Sequence, residues 1–262
     1  MRRLFFLCAA VSVLALGARG GDLVLRGPWS GAVTHDSAVV VAKLATLANG
    51  AWLELSHSVD FGEVTRVEAL PALAEQSPEI ARFALTGLSP NTPYYYRVRL
   101  ADVPRDPSDD RSHGTFTTFP PPLTPSSFHF AFASCARTGS THQVFRQIAL
   151  QGPSFYLMTG DLHYEDISWN HLPSFRSAYD TVLGSERQRA LYRMVPIIYT
   201  WDDHDFGPNG SDRHSPSRAA SHAVYREYVP HYPLAAPGDD GPIAQAFTFG
   251  RVRFLVLDTR SA

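Results

Sequence analysis

Between residues 22 and 118, apolar and polar positions alternate in short runs and never settle into a helical repeat. The runs Ala38–Leu44, Ala51–His57, Val64–Glu68, Glu79–Leu85, Tyr94–Leu100 and Gly114–Phe119 predict strands. In one of them Ala81, Phe83 and Leu85 share a face against Ile80, Arg82 and Ala84. In another Tyr94, Tyr96, Val98 and Leu100 oppose Tyr95, Arg97 and Arg99. Turn-forming stretches such as Leu88-Ser89-Pro90-Asn91-Thr92-Pro93 separate the runs, so residues 21–119 are expected to fold as an all-β antiparallel sandwich. The pattern changes after Pro120-Pro121-Pro122-Leu123-Thr124-Pro125-Ser126-Ser127. Proline's fixed φ makes residues 120–127 a semi-rigid joint, and a domain boundary is expected there. Beyond it, dense apolar runs at Phe128–Ala133, Phe155–Thr159, Val195–Thr200 and Val252–Leu257 alternate with helical stretches at His142–Leu150, Ser174–Val182, Glu186–Arg193 and Ser217–Tyr228. Such alternation predicts an α/β layered domain over residues 128–262, with ligands collecting at the carboxyl ends of its strands.

The first twenty residues stand apart. Arg2 and Arg3 precede an apolar run from Leu4 to Leu16, then small residues at Gly17, Ala18 and Gly20, the layout of a cleaved export signal, twin-arginine or Sec. That run is too short for a membrane span, which needs about 20 apolar residues. Export places the protein in the periplasm, outside the cell or at its surface, and removal of the signal takes Cys8 with it. Cys135 is then left without an intramolecular partner. The formal net charge of −2 gives no support to nucleic-acid binding, which requires a strongly basic face.

The chemistry sits directly after the predicted strands of residues 128–262. The strand ends read Ser134-Cys135, then Gly160-Asp161-Leu162-His163-Tyr164-Glu165, then Trp201-Asp202-Asp203-His204-Asp205-Phe206-Gly207-Pro208-Asn209, and finally Asp258-Thr259-Arg260. Thiol, carboxylates, phenol, imidazole and carboxamide at four strand ends suit two metal ions, one oxygen-loving and one favouring thiolate and phenolate. Paired ions can clamp a phosphoryl group during in-line attack by a bound hydroxide. Each residue also has a plainer reading. Asp161, Asp202, Asp203 and Asp205 could cap helices or accept loop hydrogen bonds, Tyr164 could simply pack, and His163 could orient a neighbour or face solvent. Asp258 and Arg260 could position loops, and Arg260 could instead grip phosphate bidentately. His129, His142, His171, His214, His222 and His231 have no ligand spacing and read as surface or core.

Two resemblances sharpen these readings. Leu88-x-Pro90-x-Thr92-x-Tyr94-x-Tyr96-x-Val98 is similar to the fibronectin type III pattern, which implies a structural tyrosine corner at Tyr94 within an Ig/fibronectin III-like sandwich. The series Phe132-Ala133-Ser134-Cys135, Gly160-Asp161-x-x-Tyr164-Glu165, Trp201-Asp202-Asp203-His204-Asp205 and Leu257-Asp258-Thr259-Arg260 resembles the PhoD-like alkaline phosphatases, calcineurin-like metallophosphoesterases. The resemblance implies a secreted hydrolase of phosphomonoesters or phosphodiesters that uses Fe(III) and Ca(II). By the same resemblance Cys135, Asp161 and Tyr164 would hold the iron, with Asp161 bridging, and Asp203 and Asn209 would serve the second ion. His204 would stabilise phosphate charge, oriented by Asp205, and Arg260 would assist catalysis. Members of this family continue well beyond the Asp-Thr-Arg strand and supply further histidine-bearing loops from that part. The chain is therefore expected to be C-terminally incomplete, with Val252–Leu257 at an uncovered edge. The alternative from another class is a catalytically inactive exported binding protein with a vestigial half-site.

Overall fold

The computed structural model describes residues 24–45, 50–71, 77, 79–101, 112–236, 238 and 241–262. The export segment read from residues 1–20 lies outside them. The elements before the Pro-rich segment are β1 (Val24–Gly31), β2 (Ser37–Leu44), β3 (Ala51–Ser56), β4 (Thr65–Glu68), β5 (Ile80–Thr86), β6 (Pro93–Leu100) and β7 (His113–Thr117). After it come β8 (Ala131–Ala133), α1 (Val144–Leu150), β9 (Tyr156–Met158), α2 (Leu172–Gly184), α3 (Glu186–Met194), β10 (Ile197–Tyr199), α4 (Asp203–Phe206), α5 (Arg218–Tyr228), β11 (Gln245–Phe249) and β12 (Val252–Val256).

A six-stranded mixed sheet in the order β5-β2-β1-β10-β9-β8 organises these elements, and it takes three strands from each side of the Pro-rich segment. β5, β2 and β1 pair antiparallel, whereas β1, β10, β9 and β8 run parallel. The two groups meet where Gly31 pairs with Ile197. One face of the sheet is covered by helices. Trp29, Val41, Tyr156, Met158, Ile197 and Tyr199 pack there with Phe175, Tyr179, Leu191, Tyr192, Val224 and Tyr225. On the other face Val40, Phe83 and Ile198 share a core with Leu53, Tyr96 and Phe116 of the sheet β4-β3-β6-β7, and with Phe247 and Val256 of the hairpin β11-β12. Strands buried on both faces read as unbroken apolar runs, which is why β9 and β10 showed no alternation in the sequence. Each fully buried aromatic or aliphatic side chain contributes roughly 1.5–3 kcal/mol through area removed from water.

Three local features hold this arrangement together. Tyr94 is buried and its hydroxyl accepts the Ser89 N–H at 2.8 Å, which pins the turn before β6. Lys43 of β2 reaches across to Asp180 of α2 at 2.7 Å, and Tyr228 of α5 donates to the same carboxylate at 3.1 Å. The Pro-rich segment lies against the β11-β12 turn, where Leu123 N–H donates to Gly250 O at 2.9 Å and Arg251 Nε to Leu123 O at 3.2 Å. Outward-facing Leu255 and Leu257 at β12 are 70% and 66% exposed.

Candidate metal centre

The parallel order β10-β9-β8 places the three polar strand ends side by side, because parallel strands finish at one edge. Backbone bonds then stitch the loops into register: Cys135 N–H donates to Gly160 O and Ala136 N–H to Asp161 O, each at 3.1 Å. Cys135 (φ 61°), Asp161 (φ 53°) and Asp166 (φ 48°) adopt left-handed backbone. This conformation costs a side-chain-bearing residue about 1–3 kcal/mol and survives where the surroundings over-determine it. Gly160 at φ 113° is required by contact as well as by conformation, since a Cβ there would fall 2.4 Å from Asp202 Cβ.

Asp161 is the hub. It is 4% exposed, and its Oδ2 accepts the Tyr164 hydroxyl at 2.8 Å and the Cys135 thiol at 3.4 Å. Its Oδ1 is buried with no hydrogen-bond partner. Asp161, Asp203 and His204 each offer a ligand atom within 4.8 Å of the others. The Tyr164 phenol is pushed above its ordinary pKa by its bond with Cys135, by burial and by the Asp161 charge. A thiol, a phenol and two carboxylates so close repel one another once ionised, and an unpaired buried carboxylate oxygen is costly. A bound cation resolves both conflicts, so these residues fit a metal site.

The outer residues arrange this hub. Asp203 Oδ2 accepts the Gly210 N–H at 2.5 Å, and Arg260 lies 3.7 Å from its other oxygen. Burial opposes ionisation of Asp203, but backbone N–H groups, Arg260 and His204 prevail and hold its pKa below the ordinary value. Asn209 is exposed on the loop that carries Gly210. Asp258 accepts from Trp201 Nε1 at 2.9 Å, Ile243 N–H at 2.8 Å and the N–H groups of Arg260 and Ser261, so it ties the last strand end to β10's loop.

Three expectations change. Asp205 does not orient His204: it is 1% exposed, with Oδ1 accepting Asp202 N–H at 2.7 Å and Oδ2 accepting Leu162 N–H at 2.9 Å and the Tyr199 hydroxyl at 2.5 Å. Burial pushes its pKa up to about 7 against those bonds, and its work is structural. Arg260 is not a free phosphate ligand, because its Nε donates to Asp202 Oδ1 and an Nη donates to Ser211 O at 3.4 Å. His163 is neither an orienting group nor solvated. It is fully buried against Phe175 and Tyr179, neither ring nitrogen has a hydrogen-bond partner, and burial pushes its pKa down to about 3.

The residue that does hold His204 is Asp166, whose Oδ1 lies 2.6 Å from His204 Nδ1. Its signal in the sequence was an acidic residue two positions beyond Tyr164, on the loop that already carried the motif. Burial disfavours the imidazolium, yet Asp166, Asp203 and Asp161 outweigh it and hold the His204 pKa above its ordinary value. Asp166→Asn is therefore expected to lower the His204 pKa, while the Tyr164 ring, 4.4 Å away between centroids, keeps the imidazole in place. An NMR pH titration of the histidine ring carbons checks this, and an unchanged midpoint would refute it.

Comparison with known proteins places this geometry. The sequence profile of the family described as PhoD-like phosphatase matches residues 130–262. The chain belongs to the PhoD-like phosphatase family. It is 26% identical to alkaline phosphatase D of Bacillus subtilis (strain 168) over 275 aligned positions, covering 89% of this chain and 46% of that protein. Among solved structures, that of PhoD aligns with a TM-score of 0.77 at 23% identity, covering 93% of this chain and 53% of the other. Purple acid phosphatase PPD1 from yellow lupin seeds aligns at 0.60 and 16% identity, covering 89% and 46%. These two likenesses show the shared fold, and this PhoD-like chain spans about half the length of the relatives it matches.

Proposed function

We propose that the chain carries the metal-holding site of a secreted metal-dependent phosphohydrolase acting on phosphomonoesters or phosphodiesters. The observation that carries this reading is the Asp161 carboxylate, one oxygen receiving Cys135 and Tyr164 and the other buried without a partner beside Asp203 and His204. Cys135, Asp161 and Tyr164 would hold an Fe(III), since thiolate and phenolate favour such an ion, and Asp203 with Asn209 would take an oxygen-loving Ca(II). When bound, the ions supply Lewis acidity and a nucleophile at neutral pH.

The chain's own residues supply the rest. Protonated His204 holds Nδ1–H towards Asp166 and keeps Nε2–H as a charged donor for a phosphoryl oxygen. Arg260, by holding Asp202 and approaching Asp203, fixes the loop on which His204 sits. Asp205 and Asp258 lock that loop from beneath through backbone and indole N–H groups. Export is supported by Arg2-Arg3 and the Leu4–Leu16 run. No helix among the described residues is long and apolar enough to cross a membrane.

The test loads the full chain with iron and calcium and follows 4-nitrophenyl phosphate and bis(4-nitrophenyl) phosphate together with metal content. Hydrolysis that chelation abolishes is expected. Stoichiometric metal without turnover of either ester would overturn the reading in favour of a non-catalytic binding protein.

A further inference from the structure

Two exposed side chains on the loops that carry Cys135 and Asp166 take no part in holding the candidate metal centre. Arg137 lies two residues beyond Cys135 and is exposed, and no described residue pairs with its guanidinium. Trp169 lies three residues beyond Asp166 and is 57% exposed, whereas Trp29 and Trp201 are buried. A single exposed aromatic residue is ordinary in itself. What distinguishes this one is that its loop is pinned on both sides and bonded to the loop that carries the unpaired cation.

The pins are specific. Before Trp169, Asp166 is bonded to His204 and Ile167 is 4% exposed. After it, Asn170 Oδ1 accepts the Ala220 N–H of α5 at 2.7 Å. The Arg137 loop is held in turn by Ser185, whose hydroxyl donates to Ser140 O at 2.7 Å. The two loops join where Tyr164 N–H donates to Thr138 Oγ1 at 2.8 Å. Three residues of chain reach at most about 11 Å, so the Cα of Trp169 stays within that distance of the Cα of Asp166. Arg260 is engaged by Asp202, whereas no described residue pairs with Arg137.

We propose, resting on the phosphohydrolase reading, that Arg137 and Trp169 are specificity-determining residues for a phosphoester whose leaving group carries an aromatic ring and a further negative charge, the chemistry of a nucleotide. An indole on a pinned loop presents a flat π face with little conformational freedom left to lose, which is the condition for stacking an aromatic leaving group. An unpaired guanidinium grips an anion by paired, charge-assisted hydrogen bonds.

Calorimetric titration of the iron- and calcium-loaded full chain with methylphosphonate, phenylphosphonate and 4-carboxyphenylphosphonate tests this without turnover. Wild type is expected to gain about tenfold in affinity when the ring is added and about tenfold again when the carboxylate is added. Trp169→Ala removes the first gain and Trp169→Phe keeps most of it, while Arg137→Ala removes only the second. All variants should bind methylphosphonate like wild type, because both residues are exposed and outside the metal centre. Equal affinity of wild type for the three ligands, or variants that keep both gains, would overturn the proposal while leaving the phosphohydrolase reading intact. Failure of every protein to bind methylphosphonate would instead overturn that reading, and this proposal with it.

Discussion

On the proposed phosphohydrolase reading, Asp161→Asn is expected to lose bound metal, and hydrolysis with it, and to leave the metal-free protein at least as stable as wild type. The amide keeps the shape of the carboxylate and can still accept the Tyr164 hydroxyl and the Cys135 thiol at the Oδ2 position. What it removes is the charge, which in the absence of a cation is a burden: the second oxygen is buried without a partner, and Asp203 offers another carboxylate within 4.8 Å. Neutralising a strained functional group commonly raises stability by about 0.5–2 kcal/mol, and a gain of that size is expected in urea unfolding without metal. Replacing outer-shell partners of metal ligands already costs 10–100-fold in affinity, so losing a ligand itself, as Asp161 is proposed to be, should exceed 100-fold, read as metal content after dialysis. Two results would contradict this: iron retained at wild-type level, or a metal-free variant weakened by several kcal/mol. The second would mean that Asp161 is a structural cap rather than a ligand.

The contacts around Asp161 were legible in the sequence because strand ends are a strong geometric constraint. Cys135, Asp161, Asp203 and His204 each follow an apolar run, and a parallel sheet brings such positions to one edge with no further information. The partners of individual carboxylates were not legible, because burial and local helix geometry choose them. Asp205 is the third residue of the one-turn helix α4, and from there a carboxylate turns back to the Asp202 N–H, which carries it under the site and away from His204. Asp166, itself in left-handed backbone on the loop after Tyr164, takes that place beside His204. Likewise β1 escaped the strand reading. Its Gly27-Pro28 and Gly31 have turn composition, and its register shifts on both sides of Arg26 break the alternation that marks a strand. Yet β1 is the strand that joins the two halves of the six-stranded sheet.

That junction carries the largest stability effect expected in the molecule. Gly31 stands opposite Ile197 and beside Pro230, and a Cβ added to it would fall 2.6 Å from Ile197 O and 2.4 Å from Pro230 O. Both obstacles are backbone, so relief requires β1, β10 or the segment after α5 to move. Overpacking of this kind costs about 1–3 kcal/mol where side chains can yield, and more where they cannot. Gly31→Val is accordingly expected to cost more than about 3 kcal/mol. The matched control is Gly87→Ala, at a position with φ 71° and no atom within 4 Å of the added Cβ, where only the left-handed backbone penalty of about 1–2 kcal/mol applies. Because β10 leads directly into Trp201-Asp202-Asp203-His204, displacing it should also loosen the metal centre. On the proposed reading, Gly31→Val protein refolded at low temperature is then expected to hold less bound metal than Gly87→Ala protein. Urea unfolding of the wild type should show one transition, since each half of the sheet supplies a neighbour to the other. If Gly31→Val proved as mild as Gly87→Ala and bound metal as wild type does, the β1–β10 pairing would be a dispensable contact, and residues after the Pro-rich segment would position the proposed ligands without help from those before it.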